Sequence, residues 1–123
     1  MFFLKLTFYG AAEEVGRSCI LVENKTTKLL LDAGVKLTEQ QTELPLLPND
    51  ILKDISGVVI SHAHLDHCGY LPHMFSAGFE SNIYATKPTL ELTNVIVADY
   101  LKLSEPKDVT KQGMASMVRH YKI

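Results

Sequence analysis

Cysteine, excess basic charge and long apolar runs are all missing or scarce in this 123-residue chain, and each shortage excludes a class of protein. The only two cysteines, Cys19 and Cys68, are too far apart for a CxxC metal or redox pair and too few for a disulfide framework, so a reducing compartment is expected. Twelve Lys and Arg against fourteen Asp and Glu give a net charge of −2. Binding a polyphosphate by diffuse charge needs clustered cations, so any nucleic acid must be held by a local site or a further segment. No run reaches the roughly 18 apolar residues of a membrane span. The start, Met1-Phe2-Phe3-Leu4-Lys5, turns polar too soon for the apolar region of a signal peptide. A soluble, cytoplasmic protein with no membrane partner is the expectation.

The remaining composition, 46% hydrophobic, suits one modest core and one domain. Leu4, Leu6 and Phe8 alternate with Lys5, Thr7 and Tyr9, which predicts a first strand with one buried face ending at Gly10. A loop over 10–18 leads to a second strand over 19–23. Asn24 to Thr27 turns the chain into a third strand over 28–32, apolar enough for burial on both faces. Residues 35–49, broken by Pro45 and Pro48, read as a connector, and 50–55 as a short helical turn. A buried strand is predicted over 57–61, a helix over 70–77 with Pro72 in its first turn and Gly78 as its C-cap, and a strand over 82–85. Thr86 caps a long helix that carries Pro88 in its first turn and runs to Leu103. Its two apolar stripes, Leu92, Val95 and Ile96 on one side and Leu90, Val97 and Leu101 on another, call for partners on several sides. Pro106 breaks the pattern, and 108–121 reads as a weaker helix. No internal repeat or low-complexity segment occurs.

The chemistry is concentrated in His62-x-His64-x-Asp66-His67, directly after the apolar strand. Residues two apart at a strand end project to one side, so His62 and His64 can converge on one cation. The turn that follows offers Asp66 and His67 to a neighbouring cation. Imidazole and carboxylate suit zinc, and also tolerate Mn(II) or Fe(II). Two such cations, roughly 3.5–4 Å apart, bridge a water and lower its pKa to about 7, which is the chemistry of hydrolysis. A phosphodiester fits because its anionic oxygen can bind the metals directly. Three of the five histidines fall within six residues here, a spacing that chance rarely supplies. His73 and His120 lack such company and read as surface or satisfied core residues, and Cys68 as a packing residue. Asp32, before Ala33-Gly34, is placed to accept hydrogen bonds from the histidine loop or its imidazoles rather than to ligate. Asp66 and Asp32 are the carboxylates on which catalysis would depend. Gly10 and Gly16 allow close backbone approach to a ligand.

Leu29 to Gly34 followed by Ser61 to Gly69 resembles the first two motifs of the metallo-beta-lactamase superfamily. The stretches Gly10 to Cys19, Gly69-Tyr70-Leu71-Pro72 and Tyr84 to Thr89 are similar to its beta-CASP ribonuclease branch, among archaeal nucleases related to the cleavage and polyadenylation specificity factor endonuclease. The resemblance implies an α/β fold, the N-terminal part of an αββα sandwich, with residues 1–123 forming a partial domain. It implies two zinc ions and RNA phosphodiester hydrolysis, with His62 and His64 on one zinc, Asp66 and His67 on the other, and Asp32 orienting them. The family continues with a third histidine, a bridging aspartate, the beta-CASP insert and a last histidine. The expectation is therefore an N-terminal fragment or split product, holding metal weakly and nearly inactive without a complementing protein chain or a homo-oligomer. Two rivals differ in class or substrate: a non-catalytic interaction or dimerisation module, and a hydrolase of the same fold acting on a thioester or lactam. Zinc binding with RNase activity on complementation separates the enzyme from the module.

Overall fold

The computed structural model describes residues 3–123. The chain forms β1 (Lys5–Gly10), β2 (Cys19–Glu23) and β3 (Lys28–Leu31), then two-residue strands β4 (Lys36–Leu37) and β5 (Thr42–Glu43) and a 3-10 helix (Asn49–Asp54). β6 (Gly57–Val59) leads into α1 (Leu65–Cys68) and α2 (Leu71–Ser76). β7 (Asn82–Tyr84), α3 (Lys87–Ser104), α4 (Lys111–Arg119) and β8 (Tyr121–Lys122) complete it. Six strands make one sheet in the order β1-β2-β3-β6-β7-β8, antiparallel through β3 and parallel from there on. β4 and β5 form a separate small hairpin.

One face of the sheet carries the core. Leu21, Leu30, Val58 and Ile83 follow one another across the register and are at most 2% exposed. They pack with Leu71, Met74 and Phe75 of α2, Val97 and Tyr100 of α3, and Met117 of α4. Gly113 brings α4 close to α2, since a Cβ there would collide with Ser76. Thr86 caps α3 by accepting from the Thr89 N–H, and Pro88 sits in the first turn, as the sequence predicts.

The opposite face is uncovered, which corrects the expectation for β1. Leu6 and Phe8 are 52% and 54% exposed, and Leu4 lies open beside them. Across the register Phe8 meets Ile20, Ile20 meets Leu31, Leu31 meets Val59, and Val59 meets Tyr84. Cross-strand partners share a face, so these residues form a continuous apolar surface. α3 shows a similar division: Leu90 and Val97 are buried, while Leu92, Val95 and Leu103 are exposed.

Other boundaries shift for local reasons. β6 ends at Val59 rather than Ser61, and the helical turn α1 precedes the helix expected from Tyr70. Gly78 stands one place beyond the cap, at φ +107°, with Ala77 at the C-cap itself. The helix expected over 108–121 begins at Lys111 with Thr110 as its cap, and its tail is strand β8, which pairs with β7. No helix among the described residues is long and apolar enough to cross a membrane.

Candidate metal centre

The site is built where the chain leaving β3 meets the loop leaving β6. Asp32 directly follows β3 and takes a left-handed conformation, φ +61°, which aspartate tolerates better than most residues. Its N–H donates to the Val59 carbonyl at 2.8 Å, and the next residues are laced to the α1 region. The Ala33 and Val35 N–H groups donate to the His67 and Leu65 carbonyls, the Tyr70 N–H donates to the Ala33 carbonyl, and the Ser18 N–H donates to the Asp66 carbonyl. Gly34 is required at this crossing, because a Cβ would overlap the Asp66 carbonyl. Gly10 serves a like purpose against the Arg17 carbonyl, and Gly16, at φ +104°, against the Lys36 stem. The close approaches at both loop glycines are thus to the chain itself.

Ligand atoms of His62, Asp66 and His67 lie within 4.8 Å of one another. His67 Nε2 is 3.5 Å from Asp66 Oδ2, and the rings of His62 and His67 have centroids 3.9 Å apart. His64 is the N-cap residue of α1. Its ring lies 4.9 Å from that of His62, and its nitrogens fall outside the three-residue group. The grouping therefore gathers His62 with Asp66 and His67, whereas the spacing in sequence pairs His62 with His64. Because β6 stops at Val59, both histidines sit on the loop, and its fold rather than strand pleat sets their directions.

Beneath the imidazoles lies Asp32, 9% exposed. Oδ1 accepts the Ser61 N–H at 2.8 Å, and Oδ2 accepts the Ser61 hydroxyl at 2.9 Å and lies 2.8 Å from His67 Nδ1. A carboxylate accepts only, so His67 carries its proton on Nδ1 and keeps the Nε2 lone pair free. Ser61 Oγ, having given its hydrogen to Asp32, is the acceptor for His62 Nδ1 at 3.1 Å. Asp32 thus orients one imidazole directly and a second through Ser61. Ser61 is the site residue missed by sequence reasoning. Its only signal was its place directly before the histidine motif.

The remaining sequence candidates lie elsewhere. His73 is buried, with Nδ1 2.7 Å from Asp108 and Nε2 2.8 Å from the Tyr100 hydroxyl, so it is a satisfied core residue tying α2 to α3 and the α3–α4 turn. His120 is held by the Ser116 carbonyl. Cys19 and Cys68 are fully buried, and desolvation pushes both thiols up to about 12. The donor set fits zinc: two imidazoles fixed in the tautomer a metal needs, and one carboxylate oxygen, gathered in one place.

A mixed sheet with helices packed on one face and a histidine–aspartate group at the strand ends defines a class of metal-binding α/β domain. Residues 12–114 match the metallo-beta-lactamase superfamily, and the chain belongs to it. Within it, the chain is related to the beta-CASP ribonucleases. It is 34% identical to the transcription termination factor FttA of Methanocaldococcus jannaschii over 97% of this chain and 20% of that protein. To the probable RNase MJ4 of the same organism it is 42% identical over 85% of this chain and 24% of that one. Integrator complex subunit 11 of Gallus gallus is 37% identical over 85% and 18%. The chain spans about a fifth of the length of these curated relatives. A protein of unknown function from Enterococcus faecalis shares the fold with TM-score 0.59 at 21% identity, over 92% of this chain and 32% of that one. The fold is thus part of the metallo-beta-lactamase fold.

Proposed function

We propose that this chain supplies the metal-binding half of a zinc-dependent ribonuclease, acting in the cytoplasm on RNA together with a complementing protein chain. The observation that carries the reading is the convergence of His62, Asp66 and His67 above an aspartate that fixes the imidazoles. His62, His64, Asp66 and His67 would hold the metal, with two zinc ions in the completed site. Bound zinc supplies Lewis acidity and a water acidified to near-neutral pKa. What the chain itself does is hold His67 and His62 in the correct tautomer through Asp32 and Ser61, and present Asp66 as an acceptor beside them. RNA as substrate is supported by similarity to a protein named as a probable RNase.

A complement is supported twice over. Three grouped ligand atoms are the protein's share of one hydrolytic zinc, and a second zinc beside it needs further ligands. The uncovered sheet face, with Leu6, Phe8, Leu31, Val59 and Tyr84 open, is larger in extent than the scattered apolar residues a soluble surface normally shows. The same face favours the second reading, a non-catalytic interaction module. Zinc stoichiometry and RNA cleavage decide between them. The purified chain should bind zinc, lose it on His67→Ala, and gain RNase activity when the remaining part of a relative is supplied as a separate chain. No zinc binding, with a tight protein complex, would leave the interaction module standing.

A further inference from the structure

Beside the metal centre, an open hollow of about 280 Å³ is lined by Val15, Gly16, Val35, Lys36, Leu37, Leu65 and Asp66. Its last member is shared with the metal group. Three separate stretches of chain meet there, and backbone bonds fix them together: Arg17 N–H to the Val35 carbonyl, Val35 N–H to the Leu65 carbonyl, and Ser18 N–H to the Asp66 carbonyl. The hollow is therefore built before any ligand arrives. Val15 is 84% exposed and Leu37 53%, two aliphatic side chains held in water by the loop before β2 and by strand β4 at the rim of one cavity. Gly16 lets the loop settle against Lys36, whose Cβ and Cγ a side chain there would crowd at 3.0 Å. Lys36, the one cation on the lining, shares the Glu14 carboxylate with Arg17, at 3.3 and 3.0 Å.

We propose that this hollow is the subsite for the nucleobase next to the phosphate held at the metal centre. The inference rests on the ribonuclease reading of that centre. A nucleobase is flat, uncharged and apolar on both faces, and two aliphatic side chains bracket such a shape. Lys36 stands where the flanking phosphate passes, supplying local charge that the acidic chain lacks overall. The only side-chain polar groups on the lining are Lys36 and Asp66, and with these committed to the phosphate and the metal no side chain is left to read base edges. The subsite accepts any base, because every base offers the same kind of face.

The test is an NMR titration of the zinc-loaded, 15N-labelled chain with three probes: hexauridylate, hexaadenylate and an abasic hexamer with the same phosphates. Both intact oligomers should shift the Gly16, Leu37 and Leu65 amides and bind with similar affinity. The abasic oligomer should shift the Lys36, Asp66 and His67 amides only and bind about tenfold more weakly. The exposed double variant Val15→Ser/Leu37→Ser should bind the intact oligomers as weakly as the abasic one, while Leu92→Ser, exposed on α3, changes nothing. Equal affinity for intact and abasic oligomers, or an unaffected double variant, overturns the base subsite and leaves the ribonuclease reading intact. A strong preference between uridylate and adenylate overturns the edge-blind form proposed here. Binding of no oligomer at all overturns the base subsite as well, while the ribonuclease reading is decided separately by RNase activity on complementation.

Discussion

Replacing Asp32 by Asn tests how the site is held, because it removes charge while preserving shape. Asn tolerates the left-handed backbone at φ +61° at least as well as Asp, whereas Ala there would add about 1–2 kcal/mol of strain unrelated to the metal. The amide has one acceptor oxygen where the carboxylate has two. If that oxygen keeps the Ser61 N–H, the NH₂ group faces the Ser61 hydroxyl and His67 Nδ1. Donating to Nδ1 forces the proton of His67 onto Nε2 and removes the lone pair that a metal would use. Loss of an imidazole's orienting carboxylate costs 10- to 100-fold in metal affinity, about 1.4–2.8 kcal/mol. Folding should lose roughly 2 kcal/mol separately, since hydrogen bonds to a buried carboxylate contribute about 1.5–3 kcal/mol.

Zinc affinity is measured by competition with a chelating dye, and thermal unfolding is followed with and without zinc. The parent should gain about 2.7 kcal/mol at a zinc concentration 100 times its dissociation constant. Asp32→Asn should gain far less at the same concentration. Ser61→Ala, which touches His62 only through one hydroxyl, should fall between the two. Equal zinc affinity in the parent and Asp32→Asn would refute the tautomer argument, and so would 15N shifts showing His67 unprotonated at Nδ1 in the parent.

Other consequences are quicker to check. Gly34→Ala places a Cβ against the Asp66 carbonyl and should cost about 1–3 kcal/mol in urea unfolding, with zinc affinity falling alongside. With both thiols pushed up to about 12 by burial, neither Cys19 nor Cys68 should react with a disulfide reagent at pH 8 until the chain unfolds. In alkali the unfolded thiols ionise first, near pH 9. Stability should then fall as pH rises from 9 toward 12, by up to about 1.4 kcal/mol per pH unit per thiol. Leu6→Ser/Phe8→Ser, on a half-exposed face, should change folding stability by under about 1 kcal/mol. The same pair should reduce binding of a hydrophobic dye, and a large loss of stability would mean that this face is packed within the chain.

What the sequence disclosed about this molecule was what local chemistry alone decides. The cap at Thr86, the proline in the first turn of α3, the hairpin of β2 and β3 and the crowding of three histidines all depend on neighbours within a few residues. Two kinds of feature were not local. Strand β8 is two residues long, and it exists because β7 offers a free edge to Tyr121 and Lys122; no periodicity can be read from two residues. Which face of β1 is covered was equally beyond a pattern, since alternation says that Leu4, Leu6 and Phe8 share a side but not that anything lies against it. The metal group shows the same division. Spacing groups His62 with His64, but the strand ends at Val59 before either, and Asp32, 30 to 35 residues away in sequence, draws His67 and, through Ser61, His62 into one place. A carboxylate fixed by the β3–β6 crossing therefore decides which histidines meet. Since that crossing requires Gly34 and the left-handed turn at Asp32, ligand geometry and fold stability should rise and fall together in every variant of these two residues.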